Sequence, residues 1–143
     1  MFNLTMKSTK YFGLSWKNLD EHEGDFWRID IVHINRKKYF LVSHEKTYFT
    51  KVIRATEFKS FEKIAEFINE NCPWYRFSGI SVGKMTNRKL SGTMTDMKNC
   101  LKFYQDMSLE EIEYRINISP YFALESNSIK KEIEKYVRLH SIQ

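Results

Sequence analysis

The sequence predicts an α+β fold: an antiparallel meander sheet of four to five strands, packed by three to four helices that lie mostly in the C-terminal half. Two observations lead to this fold class. Before residue 55, apolar residues recur at every second position, and four-residue connections separate the strongest segments. From Ser60 onward, apolar residues recur at every third or fourth position, which is the spacing of a helix face.

The predicted strands begin with Phe2–Met6, which a brief helical turn at residues 8–14 follows. Phe26–Ile34 reads as a long strand whose odd positions 27, 29 and 31 are apolar, while Arg28 and Asp30 alternate onto the other face. Tyr39–Ser43 is almost wholly apolar, which favours a central strand covered on both faces. Residues 48–54 and 77–85 complete the predicted sheet.

The predicted helices follow from amphipathic spacing. The first runs from Ser60 to the Cys72-Pro73 break. The second carries an apolar stripe at positions 90, 94, 97, 101 and 104. The third opens with the capping box Ser108-Leu-Glu-Glu111, and the last covers residues 128–140.

Length and composition indicate one globular domain over residues 1–143. The chain is 42% apolar and 15% aromatic, so its core needs neither a metal nor a disulfide to hold it. Its two cysteines, Cys72 and Cys100, lie in apolar surroundings that are typical of buried thiols. With no signal-peptide pattern and no run of ~20 apolar residues, we expect a cytoplasmic protein that does not enter a membrane.

Three segments together resemble a bacterial family of unknown function. They are the Trp27 strand, the turn His44-Glu-Lys-Thr47 that ends the segment from Asn35, and Asn87-Arg88 followed by Gly92, Met94 and Asp96. Ser8-Thr9-Lys10 is similar to that family's N-terminal Thr-Lys pair. The resemblance spans residues 1–105 and implies a phage, plasmid or genomic-island setting more than a chemistry.

One candidate site lies where the strand over 77–85 meets the second long helix. Helix starts present free N–H groups and a positive dipole end, so basic and amide side chains there can hold a phosphate or carboxylate. The candidate residues are Lys84, Asn87, Arg88 and Lys89. The alternative is structural: Arg88 braces the fold against Asp96, Asp25 or a carbonyl, and Gly92 lets the helix approach the sheet closely.

The sequence gives less support to a catalytic site or a metal site. One loop contains residue types that bind divalent metals, namely Asp20, Glu21, His22, Glu23 and Asp25. All five lie in a single segment without a second set of ligands elsewhere, which is typical of a solvated acidic loop. A nucleophilic cysteine would need a histidine brought close in space, and neither a nucleophile elbow nor a phosphate-binding loop is present. We therefore predict no catalytic residues, no metal and no cofactor.

The remaining signal is a set of basic residues interleaved with aromatic ones on a chain of net charge +5. These basic residues are Arg36, Lys37, Lys38, Lys46, Lys51, Lys130, Lys131, Lys135 and Arg138. They favour an interaction surface, although codon bias in an AT-rich genome also enriches lysine. The sequence-based hypothesis is a non-enzymatic interaction protein of a mobile element, which binds and inhibits a host or defence complex such as a nucleic-acid-guided nuclease. A small-molecule enzyme or sensor using Arg88 and a direct nucleic-acid binder are the alternatives.

Overall fold

A computed structural model describes residues 1–22, 24–84, 88–121 and 124–140, without the side chains of residues 88 and 89. These residues form five β-strands and five α-helices. The strands are β1 (Phe2–Leu4), β2 (Trp27–Ile34), β3 (Lys37–His44), β4 (Thr50–Arg54) and β5 (Val82–Lys84). The helices are α1 (Met6–Tyr11), α2 (Phe61–Asn71), α3 (Arg88–Phe103), α4 (Leu109–Ile118) and α5 (Ile129–His140).

The five strands form one sheet in the order β4-β3-β2-β1-β5. The α+β class is confirmed, and β2, β3 and β4 form the predicted antiparallel meander. The expectation of a purely antiparallel sheet is wrong, because β1 pairs in parallel with both β2 and β5. The chain leaves β1 through α1 and a loop before it returns as β2, and a connection of that length permits a parallel pair.

Hydrophobic cores cover both faces of the sheet. On one face, Trp27, Ile29 and Ile31 pack with residues of α1 and α2. On the other face, α3 and α4 pack over the sheet through Leu90, Met94 and further apolar residues. The predicted α3 stripe is confirmed, since Leu90, Met94, Met97 and Leu101 are buried.

Arg28 and Asp30 lie under α3 and are buried as well. Arg28 donates to the Ser91 hydroxyl at 2.7 Å, and Lys98 Nζ lies 2.5 Å from Asp30 Oδ2. The Thr5 hydroxyl and the Ile31 N–H also donate to Asp30 Oδ1. This polar network ties the start of α1, β2 and α3 together within the buried layer.

Two element boundaries and one buried position differ from the sequence-based expectation. Within the strand predicted over 77–85, the described residues are paired only at Val82–Lys84, which align with the three residues of β1, and residue 85 lies outside the described residues. The early helical turn begins at Met6, where Thr5 and Ser8 form a capping box. In the last helix, the apolar spacing predicts that Val137 faces inward with Tyr136, but 37% of the Val137 surface is exposed.

Candidate functional site

The predicted anion site is only partly visible. Lys84 lies in β5 with its Nζ 4.8 Å from the centre of the Trp16 ring. Arg88 and Lys89 begin α3, but their side chains, like all of Asn87, lie outside the described residues. The proposed role of Gly92 in a close approach is wrong, because no atom lies within 4 Å of where a Cβ would stand. Arg88 as an anion ligand stays a prediction.

The predicted basic surface is divided between two ends of the sheet. Arg36 lies in the β2–β3 turn, with Lys37 and Lys38 directly after it, whereas Lys46 follows the opposite end of β3. Eight residues of strand separate the two ends, which corresponds to about 26 Å. The hairpin lysines and Lys46 therefore do not form one continuous patch.

Two of the basic candidates are already in ion pairs. Lys51 contacts Glu113 of α4 at 2.5 Å, and Lys135 contacts Glu125 at 2.8 Å. Lys130, Lys131 and Arg138 are exposed on α5. The surface that basic residues offer is therefore smaller than their number in the sequence indicates.

The acidic loop has a structural role at its last residue. Asp25 Oδ1 lies 2.6 Å from Nε2 of the buried His44, and Asp25 Oδ2 accepts a hydrogen bond from the Tyr136 hydroxyl. Burial lowers the pKa of His44 below its ordinary value, and this effect outweighs the attraction of Asp25. Burial opposes ionisation of Asp25, but the bonds from His44 and Tyr136 hold its pKa below the ordinary value. Asp25 is thus an ionised carboxylate that accepts from two neutral donors.

The tautomer of His44 follows from these partners. An ionised carboxylate only accepts hydrogen bonds, so Nε2 carries the hydrogen. Nδ1 then accepts from the Thr47 hydroxyl at 2.9 Å, and Thr47 in turn accepts from the Phe49 N–H at 3.2 Å. Thr47 is fully buried, so this chain of hydrogen bonds presents no accessible nucleophile.

Asp25 also lines a cavity of about 380 Å³ between the β3–β4 turn and α5, which Lys46, Lys135 and Tyr136 line as well. His140 stacks on the Tyr136 ring with 3.9 Å between the ring centres. The cavity contains both acidic and basic side chains, and it carries no excess of one charge.

The described residues do not support the remaining catalytic and metal candidates. Burial raises the pKa of the Cys72 thiol to about 12, so this thiol is protonated and unreactive at neutral pH. Within residues 1–22, 24–84, 88–121 and 124–140, no three His, Cys, Asp or Glu side chains are grouped for a metal ion. Glu23 lies outside these residues. None of the described helices is long and apolar enough to cross a bilayer.

Three of the large apolar side chains that are exposed among the described residues lie on α4 and at the end of α3. Ser108 caps α4 by accepting from the Glu111 N–H at 3.2 Å. Ile112 and Ile116 are buried against the sheet, so the opposite side of α4 faces outward. That side carries Tyr114 and Ile118, which are 64% and 61% exposed and lie one helical turn apart.

Arg115, on the same helix, contacts the residues at the end of α3. The Arg115 guanidinium lies 4.9 Å from the centre of the Tyr104 ring, and Tyr104 contacts Phe103 edge to face at 4.8 Å. Phe103 is 79% exposed. We call Phe103, Tyr104, Tyr114, Arg115 and Ile118 the α4 patch.

Two side chains of α4 hold the helix against the outer edge of β4. Asn117 accepts from the Thr50 N–H and donates to the Thr50 carbonyl, both at 2.9 Å. Glu113 accepts from the Val52 N–H at 2.9 Å. These bonds satisfy edge groups that a further strand would otherwise pair, so they fix the position of the α4 patch.

Comparisons of the chain with protein families, curated proteins and solved structures find no match. The resemblance to a bacterial family therefore stays a prediction.

The α4 patch was not among the sequence-based candidates, although the sequence contains a pattern that predicts which side of α4 is exposed. The capping box at Ser108 and the inward spacing of Leu109, Ile112 and Ile116 place Tyr114 and Ile118 on the outside. The Asp25–His44–Tyr136 cluster had no such signal. Its members are 19 and 111 residues apart in the chain, and only the folded structure brings them together.

Proposed function

We propose that this protein is a non-enzymatic interaction protein that binds a larger protein complex through the α4 patch. The observation that carries the proposal is that Tyr114 and Ile118 are mostly exposed one turn apart on α4. Arg115 of the same helix contacts Tyr104, whose ring contacts the 79% exposed Phe103. Single exposed apolar residues are ordinary, whereas a contiguous group of them is typical of a binding surface.

The composition of the α4 patch supports a protein as the partner. Tyr, Phe and Arg are enriched at protein interfaces, and Tyr and Arg are also enriched among the residues whose truncation costs the most affinity. Arg115 stacks on Tyr104 and forms an exposed ion pair with Glu111 at 3.6 Å, so its guanidinium is part of the patch surface. The anchoring of α4 by Glu113 and Asn117 limits the conformational entropy that the surface would lose on binding.

The family resemblance supports a target inside a bacterial host. A cytoplasmic protein from a phage or another mobile element would gain from blocking a host or defence complex. Inhibition of a nucleic-acid-guided nuclease, in the manner of an anti-CRISPR protein, is one concrete form of this activity. A small rigid domain acts in this way by covering a functional surface, which requires no catalytic group.

The test compares the wild-type protein with a Tyr114→Ser/Ile118→Ser double variant. Leu139→Ser is the matched control, because Leu139 is 62% exposed but lies on α5, away from the α4 patch. Each tagged protein is expressed in a bacterial host, and any stoichiometric partner is identified and then purified. With the purified partner, the double variant should bind at least tenfold more weakly than the control. Equal binding by all three proteins, or no stoichiometric partner, would contradict the proposal.

A further inference from the structure

A second apolar surface lies on the opposite side of the sheet from the α4 patch. It is a groove of about 350 Å³ between α1 and the 3₁₀ turn Trp16–Asn18. Tyr11 and Phe12, next to it, pack in the core with Phe40, whereas the α4 patch lies over the other core. We call this cavity the N-terminal groove, and its lining includes Met6, Thr9, Lys10, Leu14, Trp16 and Lys17.

The groove is held open by caps at both ends of α1. At the start, Thr5 and Ser8 form a capping box. At the end, Gly13 has φ +70°, its N–H donates to the Lys10 carbonyl, and the Leu14 N–H donates to the Thr9 carbonyl. These two bonds form a Schellman motif, which fixes Leu14 just beyond the helix. The shape of the groove is therefore part of the fold.

Apolar side chains in the groove remain in contact with solvent. Met6 is 58% exposed and Leu14 is 39% exposed. Trp16 is half-buried, and Lys84 Nζ lies over its ring. An apolar side chain of a partner could displace water from this groove and bury these residues further, which favours association.

The charged residues that line the groove have one sign. Its charged lining residues are Lys10 and Lys17. Lys7 is exposed on α1, and residues 1–19 contain no aspartate or glutamate. Potential of one sign around an apolar groove attracts a partner of the opposite sign and sets its orientation.

We propose that the N-terminal groove binds an acidic, amphipathic segment of a partner protein, with one or two apolar side chains in the groove and carboxylates against the surrounding lysines. The concave shape favours such a segment over a bilayer, because membrane binding needs apolar side chains that protrude. Single-stranded nucleic acid is disfavoured because Lys84 occupies one face of the Trp16 ring, where a base would stack.

The probe is a synthetic 15-residue helical peptide with leucines on one face and glutamates on the other. A second peptide carries lysine in place of every glutamate, and a third carries serine in place of every leucine. Binding is followed by amide chemical shifts of the full chain. We expect saturable binding with Kd below ~1 mM, shifts concentrated in residues 6–17, and at least tenfold weaker binding of both control peptides.

Two pairs of variants test the two components of the groove. Lys10→Glu/Lys17→Glu should weaken binding of the acidic peptide by about tenfold or more, while Lys130→Glu/Lys131→Glu, the same charge change on α5, should alter it by less than about twofold. Leu14→Ser should weaken binding by about fivefold, and Ile80→Ser, at an apolar residue of equal exposure, should not.

Three outcomes would overturn the proposal. The first is that binding of the acidic peptide does not saturate at ~5 mM. The second is that the α5 and Ile80 control variants weaken peptide binding as much as the groove variants do. The third outcome is that phosphatidylserine vesicles, or a single-stranded oligonucleotide, bind the same residues more tightly than the peptide does. None of these outcomes bears on the α4 patch, because its test uses different residues and a different partner.

Discussion

Asp25 and His44 meet side chain to side chain, with Asp25 Oδ1 2.6 Å from His44 Nε2, and they join the loop before β2 to the end of β3. The Tyr136 hydroxyl donates to the second oxygen of the same carboxylate, which adds α5 to the junction. The contacts between three separate parts of the chain therefore require that the Asp25 carboxylate is ionised and the His44 imidazole is neutral. This dependence makes the stability of the fold sensitive to pH.

The first prediction is a loss of stability on acidification. The folded-state pKa of His44 is below the ordinary value of 6.5, so the unfolded chain binds a proton that the folded chain excludes, and stability falls as pH drops below 6.5. The pKa of Asp25 is below 3.8, so its contribution is lost only as pH falls below that value. Urea unfolding between pH 8 and pH 3 should show both phases.

A His44→Gln variant separates the two phases. At pH 8 it should be less stable by about 2 kcal/mol, because a buried group loses its paired hydrogen bonds. Between pH 6.5 and pH 5 its stability should fall less steeply than that of the wild type. His33→Gln, at an exposed histidine of β2, is the control and should keep the wild-type slope. Parallel curves for all three proteins would show that His44 is not the responsible group.

The second prediction concerns the attachment of α5. Tyr136→Phe removes the hydrogen bond to Asp25 and leaves the ring contacts with Trp74 and His140 in place. Because the lost bond involves a charged acceptor, we expect a destabilisation of about 1.5–3 kcal/mol, with faster amide exchange along α5. Tyr114→Phe, at an exposed tyrosine, should leave both quantities unchanged. Equal effects of the two substitutions would contradict the role assigned to the Asp25 bond.

Local sequence patterns predicted the helices and strands closely, because amphipathic spacing records which side of each element is buried. The α3 stripe and the meander of β2, β3 and β4 are examples. The parallel pairing of β1 was not predictable in this way, since a three-residue strand contains too little pattern to indicate its partners. The polar contacts of Asp30 and Asn117 were also beyond sequence reasoning, because they depend on packing between distant segments.

The third prediction tests the protection of the β4 edge. Asn117→Ala leaves the N–H and carbonyl of Thr50 without the side-chain partner that they have in the native protein. We expect a destabilisation of about 1–3 kcal/mol and faster exchange of the Thr50 amide. Asn117→Asp retains an acceptor for the N–H and should protect that amide better than alanine does. Asn99→Ala, on the exposed side of α3, controls for the change in helix propensity.

The fourth prediction concerns the β2–β3 turn, where one basic candidate adopts an uncommon backbone conformation. Asn35 and Arg36 have φ of 51° and 65°, as a two-residue type I′ turn requires. Asparagine tolerates this region, whereas arginine at the second position is strained. Arg36→Gly should therefore stabilise the fold by about 1 kcal/mol in urea unfolding, and Lys37→Gly, in the adjoining strand, should destabilise it. If Arg36→Gly does not stabilise the fold, the backbone at residue 36 is not strained in the native protein.

The last prediction contrasts two glycines. A Cβ on Gly83 of β5 would clash with Cδ2 of His22. It would also stand 2.8 Å from Oδ1 of the buried Asn3 and 2.9 Å from the backbone oxygen of Asp20, which accepts from the Lys84 N–H. The His22 ring can rotate away, but the carbonyl is held, so Gly83→Ala should destabilise by about 1–3 kcal/mol. Gly92→Ala adds a Cβ in open space within α3 and should stabilise by about 0.5–1 kcal/mol.

A double variant identifies which neighbour of Gly83 is the obstacle. If the His22 ring causes most of the loss, adding His22→Ala to Gly83→Ala should restore much of the unfolding free energy. If the Asp20 carbonyl or Asn3 Oδ1 causes most of the loss, the losses of unfolding free energy from Gly83→Ala and His22→Ala should add. Because this carbonyl pairs with β5, we expect only partial recovery, with the β5 amides exchanging faster in both Gly83 variants. A Gly83→Ala protein as stable as the wild type would show that the loop before β2 does not pack against β5 as described.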